Sequence, residues 1–165
     1  HRMLLSGDRK ISAIGGYRTH AAPMQVVSGP DYKRSVHFEA PPASRMNDEM
    51  TRFIAWFNDT SPGGKTPLPP LTRAGIAHLY FVCIHPFEDG NGRIARALAD
   101  KALSQVLGQP TRIALSQTIQ KNKKTYHEAL NHIAQLAHIA RPGQAGERIE
   151  VAVVDAFKDS THSLG

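Results

Sequence analysis

One run of residues decides the fold, because it separates two predicted helices: His85-Pro86-Phe87-Glu88-Asp89-Gly90-Asn91-Gly92-Arg93-Ile94-Ala95-Arg96. Pro86 cannot continue the helix that precedes it, and it pushes the residue before it out of helical geometry. A new helix is predicted to begin near Asn91-Gly92, and Gly108 ends it. The run therefore predicts two helices joined by a short polar loop.

The residue types in this loop suit the binding of an anion. Gly90 and Gly92 allow backbone amides to approach a phosphate closely and to adopt positive φ. They stand at a helix start, where free N–H groups and the helix dipole favour negative charge. Arg93 and Arg96 are three residues apart on one helical face, so both can reach a polyphosphate. The loop is predicted to be a polyphosphate site.

Two further side chains could take part in a reaction at this site, one as a metal ligand and one as a base. Asp89, just ahead of the glycines, is placed to hold Mg²⁺, which would bridge phosphate oxygens. His85 has an ordinary pKa that suits it to accept a proton near neutral pH. Each feature alone is more often a turn, a solvated face or a cap. Together they are the components of an attack on a nucleoside polyphosphate.

The run His85 to Arg96 resembles, at every fixed position, the Fic motif His-x-Phe-x-Asp/Glu-Gly-Asn-Gly-Arg-x-x-Arg. The resemblance covers roughly residues 1–135 and includes Tyr17-Arg18-Thr19 and Trp56. It implies an all-α, Fic-type helical domain with a β-hairpin flap. The implied activity is that of a Mg²⁺-dependent protein adenylyltransferase, which transfers AMP from ATP to a Ser, Thr or Tyr hydroxyl. The implied partners are ATP and a target protein, or the chain itself.

The resemblance also implies a role for individual residues. His85 is the catalytic base, Asp89 the Mg²⁺ ligand and Phe87 an anchor in the core. The implied nucleotide-binding residues are Gly90, Asn91, Gly92, Arg93, Arg96 and, further along the chain, Tyr126. The flap is expected to pair with the backbone of the target by strand addition, along Val36, His37, Phe38 and Glu39. The intact Gly-Asn-Gly favours AMP transfer over the phosphorylation carried out by the related Doc branch.

The chain has the size and composition of one domain. Its 165 residues, 41% of them hydrophobic, suffice for a single core. The Fic core is expected over 1–140, with the flap hairpin at about 22–42 and the motif loop at 85–96. The segment 141–165 is expected to be helical in part and atypical. His1 begins without a helix cap, so an upstream part, including any inhibitory segment, is expected to be missing.

Two helices are predicted ahead of the motif from apolar residues at helical spacing. The first has Ser44 as its cap and Asp48, Glu49 and Arg52 on its polar face, and its apolar residues are Met46, Met50, Phe53, Ile54 and Phe57. The second has Thr72 as its cap, and its apolar residues are Ile76, Leu79, Tyr80 and Cys83. Trp56 and Cys83 are interpreted as core residues.

Charge and composition narrow the class of partner. Lys and Arg exceed Asp and Glu by 20 to 14, which gives a net charge of +6 and favours an anionic partner. Nucleic acid is not favoured, because no aromatic residue interleaves with the basic cluster Lys121, Lys123 and Lys124. No apolar run approaches the ~20 residues of a membrane span. One cysteine and the lack of a signal-peptide pattern give a cytoplasmic expectation.

Two alternatives to the transferase remain open. One is a regulatory module that binds nucleotide without useful transfer, although a pure binder would need no base at His85. The other is a variant reaction, either removal of AMP or transfer of another phosphate-linked group. Ile133 leaves the variant reaction open, because the family often has Asn or Gln at that position.

Overall fold

The computed structural model of the chain describes residues 1–5, 14–20, 22, 24–28, 35–110 and 121. Its helices are, in chain order, α1 (Arg2–Leu5), α2 (Met46–Asp59), α3 (Pro70–Ile84) and α4 (Asn91–Leu107), with a 3₁₀ turn at Ala43–Arg45. Two strands, β1 (Gln25–Ser28) and β2 (Ser35–Glu39), form an antiparallel pair. The prediction of a helical domain is confirmed.

The strand pair carries a β-bulge. Gln25 pairs with Glu39 and Val26 with Phe38, but the next residue of β1, Val27, pairs with Val36. His37 is therefore an extra residue on β2, which bends and twists the strand locally. The bulge therefore interrupts the regular pairing of residues 36–39 with β1. The base of the pair is closed by the Ala40 N–H, which donates to the Met24 carbonyl at 2.9 Å.

An aromatic cluster joins α2 to α3. The Phe53 ring meets Tyr80 edge-on, with centroids 5.3 Å apart, and Phe81 at 5.5 Å. Trp56 and Phe57 lie beside it, and all these rings are buried. Edge-to-face pairs of this kind stabilise a core beyond the area that they bury. The interpretation of Trp56 as a core residue is confirmed.

The buried face of α2 differs from the predicted one. Glu49 is fully buried, whereas Ile54 is 50% exposed. The reason is geometric, because Glu49 lies three residues after Met46 and four before Phe53, on the same helical face. Its carboxylate is paired there with Arg45 at 3.0 Å. The prediction that Glu49 lies on the exposed polar face of α2 is therefore wrong, because the ion pair with Arg45 allows its carboxylate to be buried.

The two predicted helix caps are also wrong. The 3₁₀ turn Ala43–Arg45 leads into α2, and no side chain caps that helix. α3 begins at Pro70, two residues before Thr72. Proline is favoured in the first turn because its fixed φ suits a helix and its missing N–H would be unpaired there.

α3 and α4 form a tightly packed helical hairpin. From Ile76 to Ile84 nearly every residue of α3 is buried, and α4 meets it with Ala95, Ala99 and Ala102, each at most 2% exposed. Small residues at this spacing let the two helix backbones approach closely. Cys83 of α3 is buried in the core, which confirms its interpretation as a core residue, and burial raises the pKa of its thiol to about 12.

A buried arginine stabilises the far end of the same hairpin. Arg73, 1% exposed, donates to the Phe57 carbonyl at 2.7 Å and to Gln105 Oε1 at 2.8 Å. Its guanidinium also lies 4.2 Å above the centre of the Phe57 ring. One side chain thus links α2, α3 and α4.

His78 makes stability depend on pH. Burial is the main cause that lowers its pKa from 6.5 to about 4. A backbone hydrogen bond at Ala95 opposes the shift, and the charge of Arg96 adds to it. The unfolded chain therefore binds the proton more readily than the folded one. The contribution of neutral His78 to the free energy of unfolding is complete above pH 6.5 and is lost as the pH drops toward 4. We expect a loss on the order of 3 kcal/mol over that window. Urea unfolding of the wild type and of His78→Gln at several pH values checks this. The same dependence of the free energy of unfolding on pH in both proteins would contradict it.

None of the helices within the described residues has the length and apolarity that a bilayer span requires.

Candidate active site

α3 ends at His85 in an unusual backbone conformation. His85 has φ 50° and ψ 57°, which places it in the left-handed region as the C-cap of the helix. Its N–H still donates to the Phe81 carbonyl at 3.1 Å. Helices commonly end in this conformation, but usually with glycine, since a side chain costs about 1–2 kcal/mol there. Such a cost at a non-glycine residue points to a use for the side chain.

Arg18 holds this helix end in place. Its backbone N–H donates to the Pro86 carbonyl at 2.9 Å, and its Nε donates to the His85 carbonyl at 2.8 Å. Its Nη2 donates to the carbonyl of Pro41, the second residue after β2. The side chain is 2% exposed. The carbonyl of the strained residue is therefore fixed by a buried donor.

The His85 imidazole is partly buried, and burial is the main cause that lowers its pKa. The positive charge of Arg18 lowers the pKa further, while the negative charge of Asp89 and a backbone hydrogen bond at Val82 oppose the shift. With a pKa below 6.5, the ring is neutral at pH 7 and can accept a proton.

Asn91 folds the loop between the two helices into a closed turn. Its Oδ1 accepts a hydrogen bond from the Phe87 N–H at 3.0 Å, and its Nδ2 donates to the Phe87 carbonyl at 2.8 Å. The side chain is 3% exposed. Because its amide group is buried and bonded within the loop, the group that Asn91 can present to a ligand is its backbone N–H.

The first turn of α4 carries the two glycines that the sequence predicted for an anion site. Gly90 is its N-cap with φ 80°, as predicted for a glycine here, but Gly92 is an ordinary helical residue. A methyl group on Gly92 would lie 3.4 Å from Arg96 Nη1, so this glycine keeps the space beside the guanidinium clear. The free N–H groups of residues 91 and 92 and the helix dipole favour negative charge at this end.

Asp89, Arg93 and Arg96 lie around the same helix end. Asp89 Oδ1 accepts a hydrogen bond from the Gly90 N–H at 2.6 Å, and Oδ2 pairs with Arg93 at 3.1 Å. The Arg93 and Asp89 side chains are respectively 44% and 58% exposed, so both can exchange this pair for a ligand. Arg96, one turn further along α4, is half-buried, and its charge contributes to lowering the pKa of His78.

Phe87 anchors the loop, in agreement with its predicted place. Its ring stacks on His1, with centroids 4.0 Å apart and planes 13° from parallel, and it also meets Tyr17 and Phe81. His1 Nε2 lies 3.2 Å from the Asp89 carbonyl oxygen, so the start of the chain braces the loop from outside.

The structure therefore brings the loop residues from His85 to Arg96 together at one helix junction. The residues predicted to form the target-binding flap, Val36 to Glu39, lie in β2, and Glu39, which is exposed, accepts a hydrogen bond from Gln25. Tyr126 and Ile133, like the segment 141–165, lie outside the described residues. Sequence reasoning did not give Arg18 or His1 a role in the site. The available signal was that Arg18 belongs to Tyr17-Arg18-Thr19, which is part of the family resemblance.

Comparison with known proteins identifies the fold and the family of this arrangement. The Fic/DOC family model matches residues 1–103. A Fic domain-containing signalling protein from Bacteroides thetaiotaomicron superimposes with a TM-score of 0.64 at 23% identity, over 98% of this chain and 60% of that one. A Fic family protein from Desulfovibrio desulfuricans gives 0.63 at 24% identity, over 99% and 45%.

Curated relatives are more similar in sequence over shorter stretches. Protein adenylyltransferase fic-1 of Caenorhabditis briggsae is 34% identical over 92 residues, which are 56% of this chain and 16% of the relative. Protein adenylyltransferase Fic of Nematostella vectensis is 31% identical over 113 residues, 68% of this chain and 25% of the relative. The chain thus spans a quarter or less of the length of these two relatives.

Proposed function

Because this chain belongs to the Fic/DOC family, we propose that it transfers AMP from ATP to the hydroxyl group of a Ser, Thr or Tyr residue in a target protein. The names of the curated relatives support this activity. The observation that carries the proposal is the strained position of His85, a neutral base held at the end of α3, directly before the anion-binding start of α4.

The proposed reaction needs one proton acceptor, and His85 provides it. The neutral imidazole takes the proton of the target hydroxyl while the hydroxyl oxygen forms a bond to the α-phosphorus of ATP. The bond from that phosphorus to the bridging oxygen breaks, and pyrophosphate leaves. AMP remains on the target through a phosphodiester link. His85 then returns its proton to solvent.

The phosphates are proposed to lie at the start of α4. The backbone N–H groups of Asn91 and Gly92 would face the α-phosphate, where negative charge increases during attack, and the Gly90 N–H would join them after it leaves Asp89 Oδ1. Arg93 and Arg96 would bind the outer phosphates, with Arg93 leaving its exposed pair with Asp89. Tyr126 is proposed as a further nucleotide contact.

The residues present fit a Mg²⁺ ion that arrives with the nucleotide. Asp89 is a single, largely exposed carboxylate beside the phosphate site. Within the part of the chain that the structure describes, no three His, Cys, Asp or Glu side chains form a metal cage. Mg²⁺ is commonly held by one or two carboxylates together with substrate phosphates. When bound, it would offset the phosphate charge, and Asp89 would be its protein ligand.

The target protein is proposed to bind along β2. A target segment in extended conformation can add a strand to Val36–Glu39 through backbone hydrogen bonds. Ala40 and Pro41 follow directly, and Arg18 ties Pro41 to the helix end that carries His85. A hydroxyl presented from β2 would therefore approach a fixed base.

The binding-only module that the sequence also allows is disfavoured by the backbone of His85. A module of that kind needs the glycines and arginines of α4, but it gains nothing from a histidine in the left-handed region. Glycine would occupy that position without strain.

Radiolabel position tests the proposal. We expect the chain, incubated with Mg²⁺ and α-labelled ATP, to label itself or a protein in a lysate. The purified chain should gain no label from γ-labelled ATP, because AMP keeps only the α-phosphorus. Label from the γ position instead would indicate phosphoryl transfer, as in the Doc branch. Calorimetric ATP binding with no label from either position would leave the binding-only module.

A further inference from the structure

Arg18 differs from Arg73, which is also buried, in the elements that it connects. Its guanidinium bonds are made to two backbone carbonyls, those of His85 and Pro41, from Nε and Nη2. These two groups lie on one edge of the planar guanidinium, so the two donated bonds have a fixed relative direction. The carbonyls belong to different elements, the end of α3 and the residues that follow β2. The side chain therefore sets the position of one element relative to the other.

A buried cation is a costly way to make this connection. Arg18 is 2% exposed, and burial lowers the pKa of its guanidinium. A buried charge is tolerated when its donors are matched, and here they are matched by carbonyl dipoles. A neutral side chain in the same space would avoid the cost, but it would not span the two carbonyls with the same rigid geometry.

The His85 carbonyl is a sensitive point of attachment. A left-handed residue can relax to an ordinary helical or extended conformation once its peptide group is released, and the change would swing the imidazole away from the loop. Pro86, which also accepts a hydrogen bond from the Arg18 backbone, is buried and cannot follow such a change freely. The strain at His85 is thus maintained by Arg18.

We infer that Arg18 is a positioning residue that couples the target-binding strand β2 to the catalytic base His85. The inference rests on the proposed function for its kinetic consequence, but its structural content is independent of it. Target hydroxyl and base reach the reaction from two different elements, and a shift of about 1 Å between them costs on the order of 10²-fold in rate. One buried side chain fixes their separation.

The test compares Arg18→Met with Arg73→Met in the 165-residue chain. Arg73 is a matched control, since it is 1% exposed, bonds backbone carbonyls and also has its pKa lowered by burial. It lies twelve residues before His85 on α3, which is about 18 Å along the helix. Arg18→Lys is added because it keeps the charge and loses the two-pronged geometry.

Hydrogen exchange gives the readout that does not depend on activity. We expect Arg18→Met to speed amide exchange at least 10-fold both at 38–42 and at 83–88. Arg73→Met should leave both segments close to wild type and change the ends of α2 and α4 instead. The coupling is refuted if Arg73→Met speeds exchange at 38–42 and 83–88 as much as Arg18→Met does. It is also refuted if Arg18→Met speeds exchange in only one of these segments, and both results are independent of AMP transfer.

Kinetics gives the second readout. Where the wild type transfers AMP, kcat per folded molecule should fall about 10²-fold in Arg18→Met and Arg18→Lys, with KM for ATP within about 3-fold. Arg73→Met should keep kcat within about 3-fold after correction for the folded fraction. Full activity in Arg18→Lys would show that charge and not geometry matters, and would overturn the inference. If the wild type transfers no AMP, the proposed function is wrong. The hydrogen-exchange data would still show whether Arg18 couples β2 to His85.

Discussion

His85→Ala is expected to reduce AMP transfer by about 10²- to 10⁴-fold, the usual contribution of a positioned general base. ATP affinity should stay within about 3-fold of wild type, because the amides of α4 and the two motif arginines are untouched. Single-turnover transfer from α-labelled ATP, with calorimetry of ATP binding on the same samples, measures both quantities. Transfer at the wild-type rate in His85→Ala would remove the base from the mechanism.

A companion variant separates the chemical role of His85 from its backbone cost. Alanine keeps the left-handed strain at φ 50°, whereas glycine adopts this conformation freely. His85→Gly should therefore be equally inactive, yet more stable than His85→Ala by up to about 1 kcal/mol in thermal unfolding. The opposite order of stability would mean that no strain is held at this residue.

Asn91→Ala is expected to cause the largest combined loss of stability and nucleotide binding. The Phe87 N–H and carbonyl would both lose their partner at once, since Asn91 bonds them at 3.0 and 2.8 Å. Two such groups left unpaired in a partly buried loop cost about 2–4 kcal/mol. The loop would then no longer hold the first N–H groups of α4 toward one phosphate, so we expect ATP affinity to fall at least about 10-fold.

Asn58→Ala is the matched control for this variant. Asn58 is an exposed residue of α2, away from the loop, so its replacement should change stability by less than about 0.5 kcal/mol and leave ATP binding unaltered. Chemical denaturation and calorimetry on both variants decide the question. Asn91→Ala behaving like Asn58→Ala would show that the loop is held by Phe87 packing alone.

The helix junction was predictable because the residues that form it act locally. Pro86 stops a helix by its own chemistry, and Gly90 and Gly108 favour the left-handed φ values of 80° and 64° that they adopt. The spacing of Arg93 and Arg96 on one turn follows from helix geometry alone. Local rules were sufficient to assemble most of the motif loop.

Burial on α2 was not predictable from residue type. Glu49 shares a face with Met46 and Phe53, but a pattern that separates charged from apolar residues assigns it to solvent. It is buried because Arg45, one turn earlier, supplies a partner at 3.0 Å. Arg45 is the last residue of the 3₁₀ turn that leads into α2, and the spacing of apolar residues does not predict that turn.

The supports of the site come from distant parts of the chain, which explains why sequence patterns missed them. Arg18 reaches His85 across 67 residues, and His1 reaches Asp89 across 88. The bulge at His37 depends likewise on how β1 pairs with β2 rather than on either strand alone. Contacts of this kind arise from the tertiary arrangement and leave no periodic trace.

The burial of Cys83 makes site-specific labelling of this protein simple. It is the only cysteine in the sequence, it is 4% exposed, and its thiol pKa of about 12 leaves almost no thiolate at pH 7. Maleimide reagents should therefore bypass it in the folded protein. A single cysteine introduced at exposed Glu39 would carry a fluorophore or spin label alone, with no background substitution to make first, and would report target docking on β2 directly.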